Sequence, residues 1–139
     1  MQTEETRALV QAYYAALTTG DKEGILATLA DDVAWDPPAG GDISRVEGKE
    51  NLLHALAGPG ITEIFDFKQP FNLEVRSMIV DGDTAVVQQR LTATAKATGN
   101  AYDNQYCWIY TCADGKITYM EEYANTLIAA KAFGWDLGS

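Results

Sequence analysis

Along residues 3–19 apolar side chains recur every three or four positions, at Leu9, Val10, Tyr13, Ala16 and Leu17, which is the spacing of one face of an α-helix. Thr3 stands where an N-cap would, ahead of Glu4 and Glu5 in the first turn, and Gly20 closes the helix. Asp21 then caps a second, short helix with Ile25, Leu26 and Leu29 turned inward, and Asp31-Asp32 ends it. Val33 to Asp36 reads as a short strand stopped by Pro37-Pro38. A Gly40-Gly41 loop leads to Gly48 and a third helix with Leu52, Leu53 and Leu56 on one face and His54 on the other. Between Pro59 and Pro70 the residues Ile61, Ile64, Phe65 and Phe67 fit either a short helix or a lid over a cavity.

From Leu73 the period changes from 3.6 to 2. Strands are predicted over 73–80, 84–97, 102–112 and 116–124, joined by turns at Asp81-Gly82-Asp83, Gly99-Asn100 and Asp114-Gly115. Three helices followed by a four-stranded meander make an α+β fold, in which the helices cover one face of the sheet and its curvature encloses a pocket. A terminal helix over Thr126 to Phe133, offering Leu127, Ile128 and Phe133 for packing, precedes a frayed tail from Gly134 to Ser139.

Composition narrows the class. The 139 residues suit one domain spanning 1–139, with enough chain to bury a core without metal or disulfide staples. The formal net charge is -10, with the ten basic residues scattered, so neither nucleic acid nor an anionic membrane is an expected partner. No apolar run reaches membrane-spanning length and the first residues are acidic, so a cytoplasmic location is expected. Two cysteines and one histidine lack metal-ligand spacing, so no metal is expected. Cys107 and Cys112, five apart on one predicted strand, point to opposite faces and are expected to remain reduced.

Several short motifs follow one another in order: Tyr13, Gly20-Asp21, Ala30-Asp31-Asp32-Val33-Ala34-Trp35-Asp36-Pro37, Gly48-Lys49-Glu50, then Asp114-Gly115-Lys116-Ile117 and Glu122-Tyr123. This series resembles the ketosteroid isomerase and SnoaL-like branch of the nuclear transport factor 2 superfamily. The resemblance implies a cystatin-like cone, a curved antiparallel sheet on three N-terminal helices around an apolar pocket, paired as a homodimer through the outer sheet face. Relatives of this kind include isomerases, polyketide cyclases, epoxide hydrolases, dehydratases and non-catalytic binders, so fold alone does not choose a reaction. Tyr13 matches the family's hydrogen-bonding tyrosine on the first helix, and Asp36 its proton-shuttling aspartate. The position of the third group, a protonated acid, falls on Trp108 when the Asp114-Gly115 turn is shortened by one residue.

The Trp108 alignment makes Asn104, Tyr106, Trp108 and Tyr110 pocket-facing by strand alternation. The same register turns Val86, Gln88, Arg90 and Thr92 inward, and also Met120, Glu122 and Ala124. Ala34 shares a face with Asp36, while Trp35 faces away and packs. Pro37 holds Asp36 on extended backbone. There the carboxylate acts as a base on a ligand or caps the Asp-Pro-Pro loop. Tyr13 serves a ligand oxygen or is a core tyrosine. Arg90 and Glu122, as buried charges, pair with each other, or Arg90 stabilises an enolate oxygen. His54 is expected in solvent, and Cys107, Ile109, Val87 and Leu91 on the outer face make a dimer surface.

The function expected from these residues is cofactor-independent proton transfer next to a carbonyl of an apolar small molecule, of isomerase or polyketide-cyclase type. Asp36 is the base and Tyr13 the donor. The alternative is a ligand-binding or dimerisation module in which Tyr13, Asp36, Arg90 and Glu122 form a satisfied polar network. A third, epoxide hydrolysis, needs a water held by Asp36, Glu122 and Arg90.

Overall fold

The computed structural model describes residues 1–39 and 43–137. The expected Gly40-Gly41 loop and the last two residues of the tail lie outside the described residues.

Helix α1 (Thr3–Thr19) has Gln2 as its N-cap in place of Thr3, with a reciprocal box to Glu5. The Thr3 hydroxyl is used elsewhere: it accepts the Gly82 N–H at 3.0 Å, while Thr6 donates to the Gly82 carbonyl at 2.6 Å. Two threonines thus tie the start of the chain to the first β-turn. Gly20, with φ of 70°, ends α1 in the left-handed conformation that glycine tolerates. Asp21 caps α2 (Lys22–Thr28) by accepting from Gly24 N.

Strand β1 runs over Leu29–Asp36, four residues earlier than expected. Asp31 and Asp32 do not end a helix; they occupy an exposed stretch where the β1–β6 register shifts. Then come β2 (Val46–Glu47), α3 (Lys49–Ala57), α4 (Pro59–Ile64), β3 (Asn72–Asp81), β4 (Thr84–Thr94), β5 (Ala101–Ala113), β6 (Lys116–Ala124) and α5 (Thr126–Phe133). The segment open to two readings is therefore a short helix, started by Pro59 at its first position, followed by a bridge from Phe65 to Ala95.

The six strands form one curved, unclosed sheet in the order β2-β1-β6-β5-β4-β3. It is not wholly antiparallel: β1 pairs with β6 in parallel, Trp35 opposite Met120 and Asp36 opposite Glu121. No helix among the described residues is long and apolar enough to cross a membrane.

Two apolar clusters hold the helices to the sheet. In one, Val10, Tyr13, Tyr14 and Ala16 of α1 meet Val33, Trp35, Val87, Trp108, Tyr110 and Met120. The other joins Phe65, Leu91 and Tyr102 to Ala129 and Ala132 of α5. The fully buried Ile25, Leu52 and Ile117 each contribute on the order of 1.5–3 kcal/mol relative to exposure.

Register decides which residues face inward. The β4–β5 hairpin closes on Thr94 and Ala101 around residues 95–100, an even-numbered loop. Odd positions on β4 therefore oppose even ones on β5: Val87 faces Trp108, Gln89 faces Tyr106, and Leu91 faces Asn104. Between β5 and β6 the Asp114-Gly115 turn has both residues at positive φ, 52° and 75°. A register shift between Thr111 and Cys112 then restores even against even, so Trp108 opposes Glu122.

Candidate functional site

The inner face of the sheet and the helices α3, α4 and α5 line a half-open cavity of about 420 Å³, a size usual for a small-ligand site. The strands contribute Trp35, Gln89, Leu91, Tyr102, Tyr106, Trp108 and Glu122; Leu56, Ile64, Phe65, Ala129, Phe133 and Trp135 close the other side. Members of both apolar clusters thus share one hollow.

Glu122 is the polar centre of this wall. It is half-buried, and Trp35 Nε1 donates to its Oε1 at 3.0 Å. Burial pushes the Glu122 carboxyl up to about 8, which the Trp35 hydrogen bond only partly offsets. The neutral form of Glu122 is thus favoured far more than that of a solvated carboxyl. The Trp35 ring stacks on Trp108 at 6.0 Å and 26°, so the indole that orients the carboxyl is itself fixed. Trp108 Nε1 is buried with no partner among the described residues, and such an orphan donor costs about 1–3 kcal/mol.

Tyrosines form two hydroxyl groups of their own. Tyr14 donates to Gln89 Oε1 at 2.9 Å and meets the Tyr110 hydroxyl at 2.6 Å. Tyr102 and Tyr106 share a short hydroxyl contact, and Asn104 donates to Tyr102 at 2.9 Å and to the Asn125 carbonyl at 3.0 Å. Burial raises the phenols of Tyr14, Tyr106 and Tyr110 far above their ordinary value, so all three remain neutral donors.

Of the residues expected from the sequence, Tyr106, Trp108 and Glu122 line the cavity together. Asn104 and Met120 share their sheet face but are locked behind the wall, Asn104 by its hydrogen bonds and Met120 by complete burial. Tyr13 is a core residue, edge-on to Tyr14 at 5.5 Å and tilted against Tyr110 at 5.7 Å. Its phenol is raised first by burial and then by the charge of Glu122.

Asp36, Ala34, Gln88 and Arg90 are not on the cavity wall. Trp35 takes the inward position on β1, so its neighbours Ala34 and Asp36 point to the outer face. There Asp36 Oδ2 accepts the Tyr119 hydroxyl and lies 3.7 Å from Arg45 Nη1. That hydrogen bond holds the Tyr119 phenol up to about 12. The even-numbered loop turns Gln88 and Arg90 outward, where Ser77 donates to Gln88 and Arg90 grips Asp103 through two hydrogen bonds of 2.9 and 2.7 Å. The expected Arg90–Glu122 pair is therefore not formed: its members sit on opposite faces. Val87 and Leu91 are likewise interior, not part of an outer surface.

The sequence reading missed Trp35, Gln89, Leu91 and the aromatic residues of α5 and its tail. The available signal was parity: an even-numbered loop between β4 and β5 exchanges the two faces. His54 is exposed as expected. Among the described residues, no group of three or more His, Cys, Asp or Glu side chains is placed to hold a metal ion. Cys107 and Cys112 are free thiols.

A curved sheet closed by helices over an apolar cavity is the architecture of the nuclear transport factor 2-like proteins. The chain belongs to the SnoaL-like domain family, whose model matches residues 10–120. An NTF2-like protein from Burkholderia xenovorans LB400 is 25% identical, with 96% of this chain and 98% of that one aligned at a TM-score of 0.80. TerC, crystallised with polyporic acid, is 25% identical over 94% of this chain and 98% of its own, with a TM-score of 0.79. A LEH-like epoxide hydrolase of M. tuberculosis shares the fold at 20% identity, covering 94% and 90% with a TM-score of 0.72. No curated protein matches the sequence.

Proposed function

We propose that the cavity binds an apolar small molecule and that Glu122 moves a proton next to its carbonyl group, as an isomerase or cyclase does. One observation carries this reading: a carboxyl in an apolar cavity, oriented by Trp35 and raised to about 8, is poised to take and return a proton near neutral pH. The buried N–H of Trp108 is a donor where the family resemblance puts an acid. Asp36 drops out as the base because its carboxylate is engaged with Tyr119 on the outer face.

The test is isomerisation of a β,γ-unsaturated ketone, followed by absorbance of the conjugated product. Because the base form is needed, kcat/KM is expected to rise with pH and level off above about 8. Asp36→Asn is expected to stay within about twofold of wild type, since its substitution leaves the cavity wall intact. Activity that vanishes in Asp36→Asn, or a profile flat from pH 6 to about 9, would overturn the assignment.

A second reading, ligand binding without turnover, is favoured by the outward position of Asp36. Binding with no pH-dependent turnover across a ketone series would establish it over the first. Epoxide hydrolysis by the trio named from the sequence fails on geometry, since Asp36 and Arg90 are on the opposite face from Glu122.

We further propose a homodimer through the outer sheet face, where Ile79 and Tyr123 are 65% and 55% exposed beside Ile109, Val86 and Cys107. Sedimentation velocity is expected to give twice the chain mass; a monomer at the highest attainable concentration would refute it.

A further inference from the structure

Gln89 has no role in the proton transfer described above, yet it lines the cavity with only 5% of its surface exposed. It stands opposite Tyr106 on the sheet. Its amide has a defined orientation. Oε1 accepts the Tyr14 hydroxyl at 2.9 Å, and the Tyr14 and Tyr110 oxygens are 2.6 Å apart. Tyr14 has one proton and gives it to Gln89, so Tyr110 must donate to Tyr14. With Oε1 committed, Nε2 is left as a donor, and it makes no hydrogen bond among the described residues.

The charge of the lining bears on what this donor meets. Among the described lining residues there is no Lys, Arg or His, and the carboxyls are those of Glu63 and Glu122. An anion entering the cavity would lose its hydration and find no counter-charge. The walls also favour flat ligands: Trp35 stacks on Trp108, and Tyr102 stacks on Phe133 at 5.0 Å and 20°.

We propose that Gln89 Nε2 receives the carbonyl oxygen of an uncharged aromatic ketone in this cavity, and that anions of similar size are rejected. The proposal rests on the cavity being the ligand site and names the class of ligand and the residue that selects it. The amide donor fixes the carbonyl, which in turn sets which neighbouring carbon faces Glu122.

The test uses Prodan, an uncharged naphthyl ketone whose emission moves to the red when its carbonyl accepts a hydrogen bond, against anilinonaphthalene sulfonate, an anion with comparable rings. Wild type is expected to bind Prodan at least about tenfold more tightly than the sulfonate. Gln89→Leu is expected to weaken Prodan about tenfold and shift its bound emission to the blue. Gln89→Glu keeps the acceptor for Tyr14 but presents an oxygen to the ligand, and is expected to weaken Prodan at least as much. Tyr14→Phe leaves Gln89 in place with its amide free to turn, and an intermediate loss of about threefold is expected. Thermal unfolding checks that each variant is folded, and three variants allow for the loss of one. Equal affinity for the two probes, or wild-type affinity and emission in the folded Gln89 variants, would overturn the proposal. Binding is read without turnover, so failure here leaves the Glu122 pH profile as an independent result.

Discussion

Glu122→Gln is expected to lower kcat/KM by about 100-fold or more and, at the same time, to raise stability at pH 7 by up to about 3 kcal/mol. The two effects share one cause. The carboxyl ionises at about 8 in the folded protein and near 4.5 when solvated, so folding holds a proton that the unfolded chain releases. Between those values the folded state binds more protons than the unfolded one, and stability falls as pH rises, levelling off above about 8. Glutamine keeps the oxygen that accepts from Trp35 but never ionises, so the variant's advantage is absent near pH 4 and complete above about 8. Urea unfolding at a series of pH values reads the stability; ketone isomerisation reads the activity. A variant that is slower without any pH-dependent gain in stability would mean that Glu122 is solvated and ionised in the fold.

Trp35→Phe should destabilise the protein by about 1–3 kcal/mol and move the activity inflection to still higher pH. Phenylalanine retains a ring against Trp108 but removes the N–H that points at Glu122 Oε1. That hydrogen bond is the influence that lowers the Glu122 pKa against desolvation, so its loss leaves desolvation unopposed. The ionised form is then reached at higher pH, and kcat/KM at pH 7 falls even though the carboxyl is still present. Restoring the rate by raising the pH separates this variant from one whose cavity has collapsed. An unchanged inflection would mean that Trp35 packs against Glu122 without tuning it.

The elements were readable in the sequence where one period ran long enough. Helix α1 shows five apolar positions on one face, and the strands from Asn72 to Ala124 alternate between recognisable turns. Strand β1 was less legible because Asp31 and Asp32 lie where it is exposed and its register shifts, and they look like a helix ending. Its parallel partnership with β6 depends on contacts that no local pattern encodes. Strand alternation on β5 and β6 is enough to put Tyr106, Trp108 and Glu122 on one face, and all three line the cavity. Glu122 owes its inward direction to the register shift after Thr111, without which the two-residue turn would have reversed it. Gln88 and Arg90 were misassigned by the same arithmetic, because the loop at 95–100 reverses parity and nothing compensates. The family resemblance points to Asp36 as the base, yet a single step along β1 gives the inward position to Trp35.

Strand β1 and strand β6 are neighbours in the sheet but far apart along the chain: Trp35 and Glu122 are separated by 87 positions. During synthesis, the indole emerges long before the carboxyl it will orient has been made. Until then the inner side of β1 has no partner on the β6 edge, and pairing the two strands carries the entropic cost of closing a long loop. Partial chains ending before β6 would display Val33 and Trp35 without the strand that covers them, as targets for chaperones or for one another. The hydrogen bond from Trp35 to Glu122 can thus form only once the chain has been made through β6.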